Sequence, residues 1–182
     1  IHNSFDWLNP DTYGEEHPLW FADKQLCYTA HGNAEEFQAM IEEATEVAKE
    51  TLIKEPIKDT NIITFTMQDS THYCGCSACK KEKEKYGTNN AVILKFTNLL
   101  YRSINEWMNT EEGLPYKRDL YLIFFAYFDT AAPVKLNENN EYVAIDESVI
   151  CDKGVGVFYA PIYQDYKQSI YDTGVRTKSW TK

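Results

Sequence analysis

No stretch of this 182-residue chain approaches the roughly 20 consecutive apolar residues that a helix needs to cross a bilayer, so no membrane partner is expected. Positive charge is also scarce, with 18 Lys and Arg against 28 Asp and Glu and a net charge of −10. Acidic groups scattered in this way repel phosphate backbones and anionic lipid, which argues against nucleic acid as a partner. There is no internal repeat and no low-complexity linker, and the length favours a single domain over residues 1–182. A basic-then-apolar leader is missing and the first residue is Ile, so the chain is expected to be a mature product or an excised piece. Gly154-x-Gly156 lacks the third glycine and the following helix of a dinucleotide loop. His2, His17 and His31 lack metal-like spacing.

What is present is enough to fold. The 43% hydrophobic and 14% aromatic content supports a real core. An acidic surface rich in aromatics suits neutral ligands such as sugars. Phe37, Met40, Ile41, Ala44, Val47, Ala48 and Leu52 form one helical stripe, opened by Asn33 with Glu36 and closed by Pro56. Ile93, Phe96, Leu100, Ile104, Trp107 and Met108 predict a second helix over about 91–109. A short Lys/Glu-rich helix is expected from about Ser77 to Tyr86, stopped by Gly87. Strands are expected at 24–29, at 61–67 (buried on both faces), at 119–128 and at 154–160. Strands alternating with helices of this length predict a parallel α/β domain, a (β/α)8 barrel or a doubly wound sheet. In either, chemistry lies at the carboxyl ends of the strands.

That rule draws attention to Gln68-Asp-Ser-Thr-His-Tyr-Cys-Gly-Cys-Ser-Ala-Cys79, directly after the 61–67 strand. Cys74, Cys76 and Cys79 supply three thiolates to one point, and Cys27 or His72 completes a tetrahedral zinc set. Disulfides bridging to Cys27 in an oxidising compartment are the alternative, and independent thiols a third. Cys151 is the bystander in an odd count of five. In every case the cysteines hold the loop, and a structural zinc is possible with no cofactor required for chemistry.

Asp69, at the front of that loop, is a candidate acid/base or sugar-binding carboxylate, or simply a turn-capping Asx residue. A glycosidase normally needs a second carboxylate, and Asp129 and Asp165 are the available candidates. Trp7, Trp20, Tyr127 and Tyr163 are candidates for stacking on sugar rings, with core packing as the plain alternative for each.

A family resemblance joins these residues. His2-Asn-Ser-Phe5, "HPLWF" at 17–21, "QLCYT" at 25–29, "QDSTHYCGCSAC" at 68–79, "FAYF" at 125–128 and "APIYQD" at 160–165 occur in order. The chain resembles the bacterial domain-of-unknown-function family 4838, whose members are similar to TIM-barrel glycoside hydrolases of polysaccharide-degrading bacteria. The resemblance implies a TIM-barrel-like fold, here an incomplete barrel or its middle portion. It also implies an active-site face holding His2, Gln68, Asp69 and the loop after Tyr127, and a periplasmic or secreted setting. The function expected is a glycoside-hydrolase-like domain that acts on or binds a polysaccharide or oligosaccharide. The alternative is a non-catalytic carbohydrate-binding module, or a scaffold stabilised by zinc or disulfides.

Overall fold

The computed structural model describes residues 2–160. Two short helices, α1 (Ser4–Trp7) and α2 (Pro10–Tyr13), precede a small antiparallel hairpin of β1 (Phe21–Ala22) and β2 (Gln25–Leu26). The long helix α3 (Ala34–Lys54) leads to β3 (Ile62–Thr64), then α4 (Ser77–Tyr86) and α5 (Asn90–Trp107). Strand β4 (Tyr121–Tyr127) follows, then a second antiparallel hairpin of β5 (Val134–Leu136) and β6 (Tyr142–Ala144), and finally β7 (Val155–Ala160).

The helices form where apolar spacing and caps agree. Asn33 accepts the Glu36 amide at 3.0 Å through its side chain, as the capping pattern requires. Gly87, at φ 72, closes α4 in the left-handed conformation that glycine adopts without a Cβ penalty. On α5 the expected stripe is the buried one, with Phe96, Leu100 and Ile104 fully covered. Its ring at Phe96 stacks on Phe65 at 5.3 Å, joining the helix layer to the segment that continues β3. Thr45 donates to Ser103 at 3.0 Å, tying α3 to α5.

Three of the strands make one open parallel sheet in the order β3-β4-β7. The barrel expectation is not met. Among the described residues the other four strands pair in two antiparallel hairpins, and no strand closes β7 back onto β3. A barrel needs tilted strands linked edge to edge all the way round, and two- and three-residue hairpin strands pairing with each other leave both sheet edges unjoined. The fold is mixed α/β with small separate sheets.

Two further expectations change with it. The 24–29 strand shrinks to β2, which pairs with β1 and takes no part in the parallel sheet. The 61–67 strand is buried on both faces only at its carboxyl end: Phe65, Thr66 and Met67 are all covered, whereas β3 itself buries Ile63 and leaves Ile62 62% exposed. The same alternation runs along β4, where Leu122, Phe124 and Ala126 are buried and Tyr121, Ile123, Phe125 and Tyr127 turn to the other face. The carboxyl ends of β3 and β4 therefore open beside a partly exposed aromatic face.

Candidate metal centre and binding surface

Cys27 follows β2, while Cys74, Cys76 and Cys79 lie on the loop after β3 and the first turn of α4. The fold brings the four together. Their sulfurs all lie within 4.8 Å of one another, and such a set can hold a metal ion. From Cys27 Sγ the distances are 3.3 Å to Cys74, 3.8 Å to Cys79 and 3.9 Å to Cys76. A tetrahedral ion with sulfur at roughly 2.3 Å has an S···S edge of about 3.8 Å. A disulfide would place two sulfurs at about 2.05 Å, and all five cysteines here are free thiols.

The surroundings favour negative sulfur. The His31 amide donates to Cys27 Sγ at 3.2 Å, and the Cys79 amide donates to Cys76 Sγ at 3.4 Å. Cys76 is the N-cap of α4, so the positive end of that helix faces the cluster. Thr29 places its hydroxyl 3.2 Å from Cys79 and 3.4 Å from Cys27. S–H donation, first from Cys74 and then from Cys79, holds Cys27 well below the usual thiol range despite its burial. The donors move the other way: bonding to Cys27 pushes Cys74 up to about 12 and raises Cys79 as well.

His72 stands apart from this set. It is exposed and pairs with Asp23 at 3.3 Å, across an open cleft of about 800 Å³ lined also by His31, Gly75 and Lys83. Cys27 is the fourth member of the cluster.

Asp69 is exposed at the front of the same loop, and the Tyr127 hydroxyl donates to its Oδ1 at 3.2 Å. Beside them, the ring of His2 meets Tyr127 and Phe125 edge-on at 5.1 and 5.4 Å, and its Nδ1 lies 2.8 Å from the Met67 carbonyl. His2, Asp69 and Tyr127 therefore share one surface. Gln68 turns its side chain elsewhere, donating to the buried Ser4 hydroxyl at 3.0 Å. Asp129 is spent on structure, accepting the Asn89 amide at 2.7 Å and its side-chain amide at 2.8 Å at the head of α5. Trp7 packs on Phe65 at 5.2 Å and is 8% exposed. Trp20 is 1% exposed and donates its indole N–H to the Glu36 carbonyl. Both tryptophans are core in the described structure. Tyr163 and Asp165 lie outside the described residues.

Three supporting residues escaped the sequence reading. Gln25, 1% exposed, donates to the carbonyls of Gln68 (2.8 Å) and Ser70 (3.1 Å) and accepts the Gln68 amide at 3.0 Å. It grips the backbone on both sides of Asp69. Asn3 donates to the Thr64 carbonyl at 2.8 Å and accepts the Thr66 amide at 2.9 Å, which docks the segment carrying His2 onto the end of β3. Tyr73 donates to the Tyr127 carbonyl at 2.6 Å, and burial pushes its own hydroxyl up to about 12. Gln25 and Tyr73 each sit within two positions of a cysteine, and Asn3 beside His2; that proximity, and their place inside the quoted motifs, were the available signals.

A family model matches residues 1–182, the whole chain, under the description Domain of unknown function (DUF4838). The chain belongs to that family. No curated protein and no solved structure matches it. In this DUF4838 chain, the cysteine cluster and the Asp69 surface share the loop after β3, which carries Asp69, Cys74 and Cys76.

Proposed function

We propose that the four cysteines hold a structural zinc ion and that the surface it braces, at the ends of β3 and β4, binds carbohydrate. The observation that supports zinc is the convergence of four sulfurs with S···S distances near the edge of a tetrahedral thiolate site. Zinc suits such a set because it prefers four soft ligands and is redox-silent, leaving a closed site with no open position for chemistry. Cys27 belongs to the hairpin side and the other three to the loop, so one ion staples the two segments that flank Asp69.

The carbohydrate reading rests on an exposed carboxylate, Asp69, set beside the rings of Tyr127 and His2. A carboxylate accepts hydrogen bonds from sugar hydroxyls, and aromatic faces pack on sugar C–H groups. With Asp129 engaged at α5, Asp69 is the carboxylate this surface offers among the described residues, which favours binding over two-carboxylate hydrolysis. A glycan array, followed by a hydrolysis screen on the hits, tests the reading. Asp69→Asn is expected to weaken any glycan hit at least tenfold, roughly the loss of one charge-assisted hydrogen bond. Unchanged binding and unchanged turnover in that variant would refute it.

A further inference from the structure

One side chain connects the cysteine cluster to the Asp69 surface. Tyr73, next to Cys74, donates its hydroxyl proton to the Tyr127 carbonyl at 2.6 Å and accepts the Asp129 amide at 3.2 Å. These two backbone groups flank Phe128. Phe128 sits at φ 58, in a left-handed region that a bulky residue seldom occupies. Such a conformation persists only where the surroundings over-determine it. The Tyr73 hydroxyl does this by bridging the peptide groups on either side. The Phe128 ring meets Tyr127 at 4.2 Å, and Tyr127 in turn reaches Asp69. The aim of Tyr127 at Asp69 therefore depends on a turn clasped by the residue beside a cluster cysteine.

We propose that Tyr73 is a positioning residue through which metal occupancy of the four-cysteine cluster sets the geometry of the Asp69–Tyr127 surface. The inference rests on the zinc reading above. The strained Phe128 turn is the element with two arrangements: clasped, with Tyr127 on Asp69, or relaxed to an extended backbone with Tyr127 displaced. Metal on Cys74 holds Tyr73 in the clasping position. By linkage, a ligand that engages Tyr127 and Asp69 also strengthens retention of the metal.

The probe is zinc itself. A chelator withdraws it stepwise from the wild-type chain while the Tyr127 ring and the Phe128 and Asp69 amides are followed by NMR. These signals are expected to move in proportion to zinc lost, while those of the β5–β6 hairpin stay put. In Tyr73→Phe, zinc stoichiometry is retained and the Tyr127 and Phe128 signals differ from wild type even when the cluster is loaded. Identical Tyr127 and Phe128 signals in the two zinc-loaded proteins overturn the proposal, and that comparison stands even if zinc withdrawal unfolds the chain. Wild-type signals that ignore zinc loss overturn it equally. A wild-type chain that binds no zinc overturns it together with the metal reading, which the stoichiometry reports separately. A glycan hit is expected to bind Tyr73→Phe about tenfold more weakly at unchanged zinc content, within the usual range of coupling between two sites. If no glycan binds the wild type but Tyr127 follows zinc, the carbohydrate reading fails and the coupling stands.

Discussion

At the scale of single residues, buried polar side chains do more to build the site than the residues whose chemistry first attracts attention. Gln25 is the clearest case, since its amide satisfies three backbone groups around Gln68 and Ser70. Gln25→Glu would set a carboxylate against two carbonyls and remove both donors. A destabilisation of about 2–3 kcal/mol is expected, measured by denaturant unfolding. Arg118 plays a similar part elsewhere, donating to the carbonyls of Leu52, Glu55, Thr60 and Tyr116 and so closing the end of α3. Neither role was legible in the sequence, because all their partners except Tyr116 lie tens of positions away and leave no local pattern. The cysteines were legible because their chemistry is unusual and their spacing is short. The tryptophans illustrate the opposite problem: Trp7 and Trp20 look alike in a sugar site and in a core, and only burial separates the two.

Asp146 offers a pH test at the same scale. Hydrogen bonds, first from Ser148 and then from Lys85 and Tyr86, hold its carboxyl well below the usual carboxylate range. A depressed carboxylate stabilises the fold above its unfolded pKa of about 3.9 and loses that contribution as pH falls through the lower folded value. The difference in thermal midpoint between wild type and Asp146→Asn is therefore expected to be present at pH 7 and to narrow below about pH 4. Thermal melts across that range measure it, and a gap that widens on acidification would contradict the assignment.

At the scale of elements, the sequence carried most where the signal is local. Helices α3, α4 and α5 and strands β4 and β7 fall close to their expected positions because period, cap and stop residues all lie within the element itself. The pairing in hairpins β1–β2 and β5–β6 did not show, although β2 lies inside the strand expected at 24–29, since strands of two or three residues carry no periodicity to read. The two-sided burial expected for 61–67 holds at Phe65, Thr66 and Met67 but not at Ile62, for a related reason. A β-branched run looks the same whether one or both faces are covered, and the open face here becomes visible only once the sheet order is known. Gly87→Ala gives an element-scale test: no atom lies within 4 Å of a Cβ built there, so the cost is conformational alone. About 1 kcal/mol of stability is expected to be lost, read from the thermal midpoint, with zinc content unchanged.

At the scale of the whole molecule, the cysteine cluster is the tie between the hairpin segment, the Asp69 loop and α4. Its members lie at positions 27 and 74–79, so the ion would close a long loop. A ligand present at a thousand times its dissociation constant stabilises by about 4 kcal/mol. For a chain of this size that corresponds to a fall of about 10 °C in melting temperature when the metal is chelated. A chain whose melt ignores the chelator carries its structure without the ion. The parallel arrangement of β3, β4 and β7 was foreseen in kind but not in extent, because the number of strands that join a sheet is decided by pairings that no single segment encodes.

Elemental analysis of the purified chain, together with mass-spectrometric thiol alkylation before and after chelation, decides whether the four cysteines hold zinc. One zinc per chain is expected, with Cys27, Cys74, Cys76 and Cys79 protected until the metal is removed and Cys151 reactive throughout. A folded chain without zinc, whose four clustered cysteines are joined in disulfides or alkylate as freely as Cys151, would contradict it.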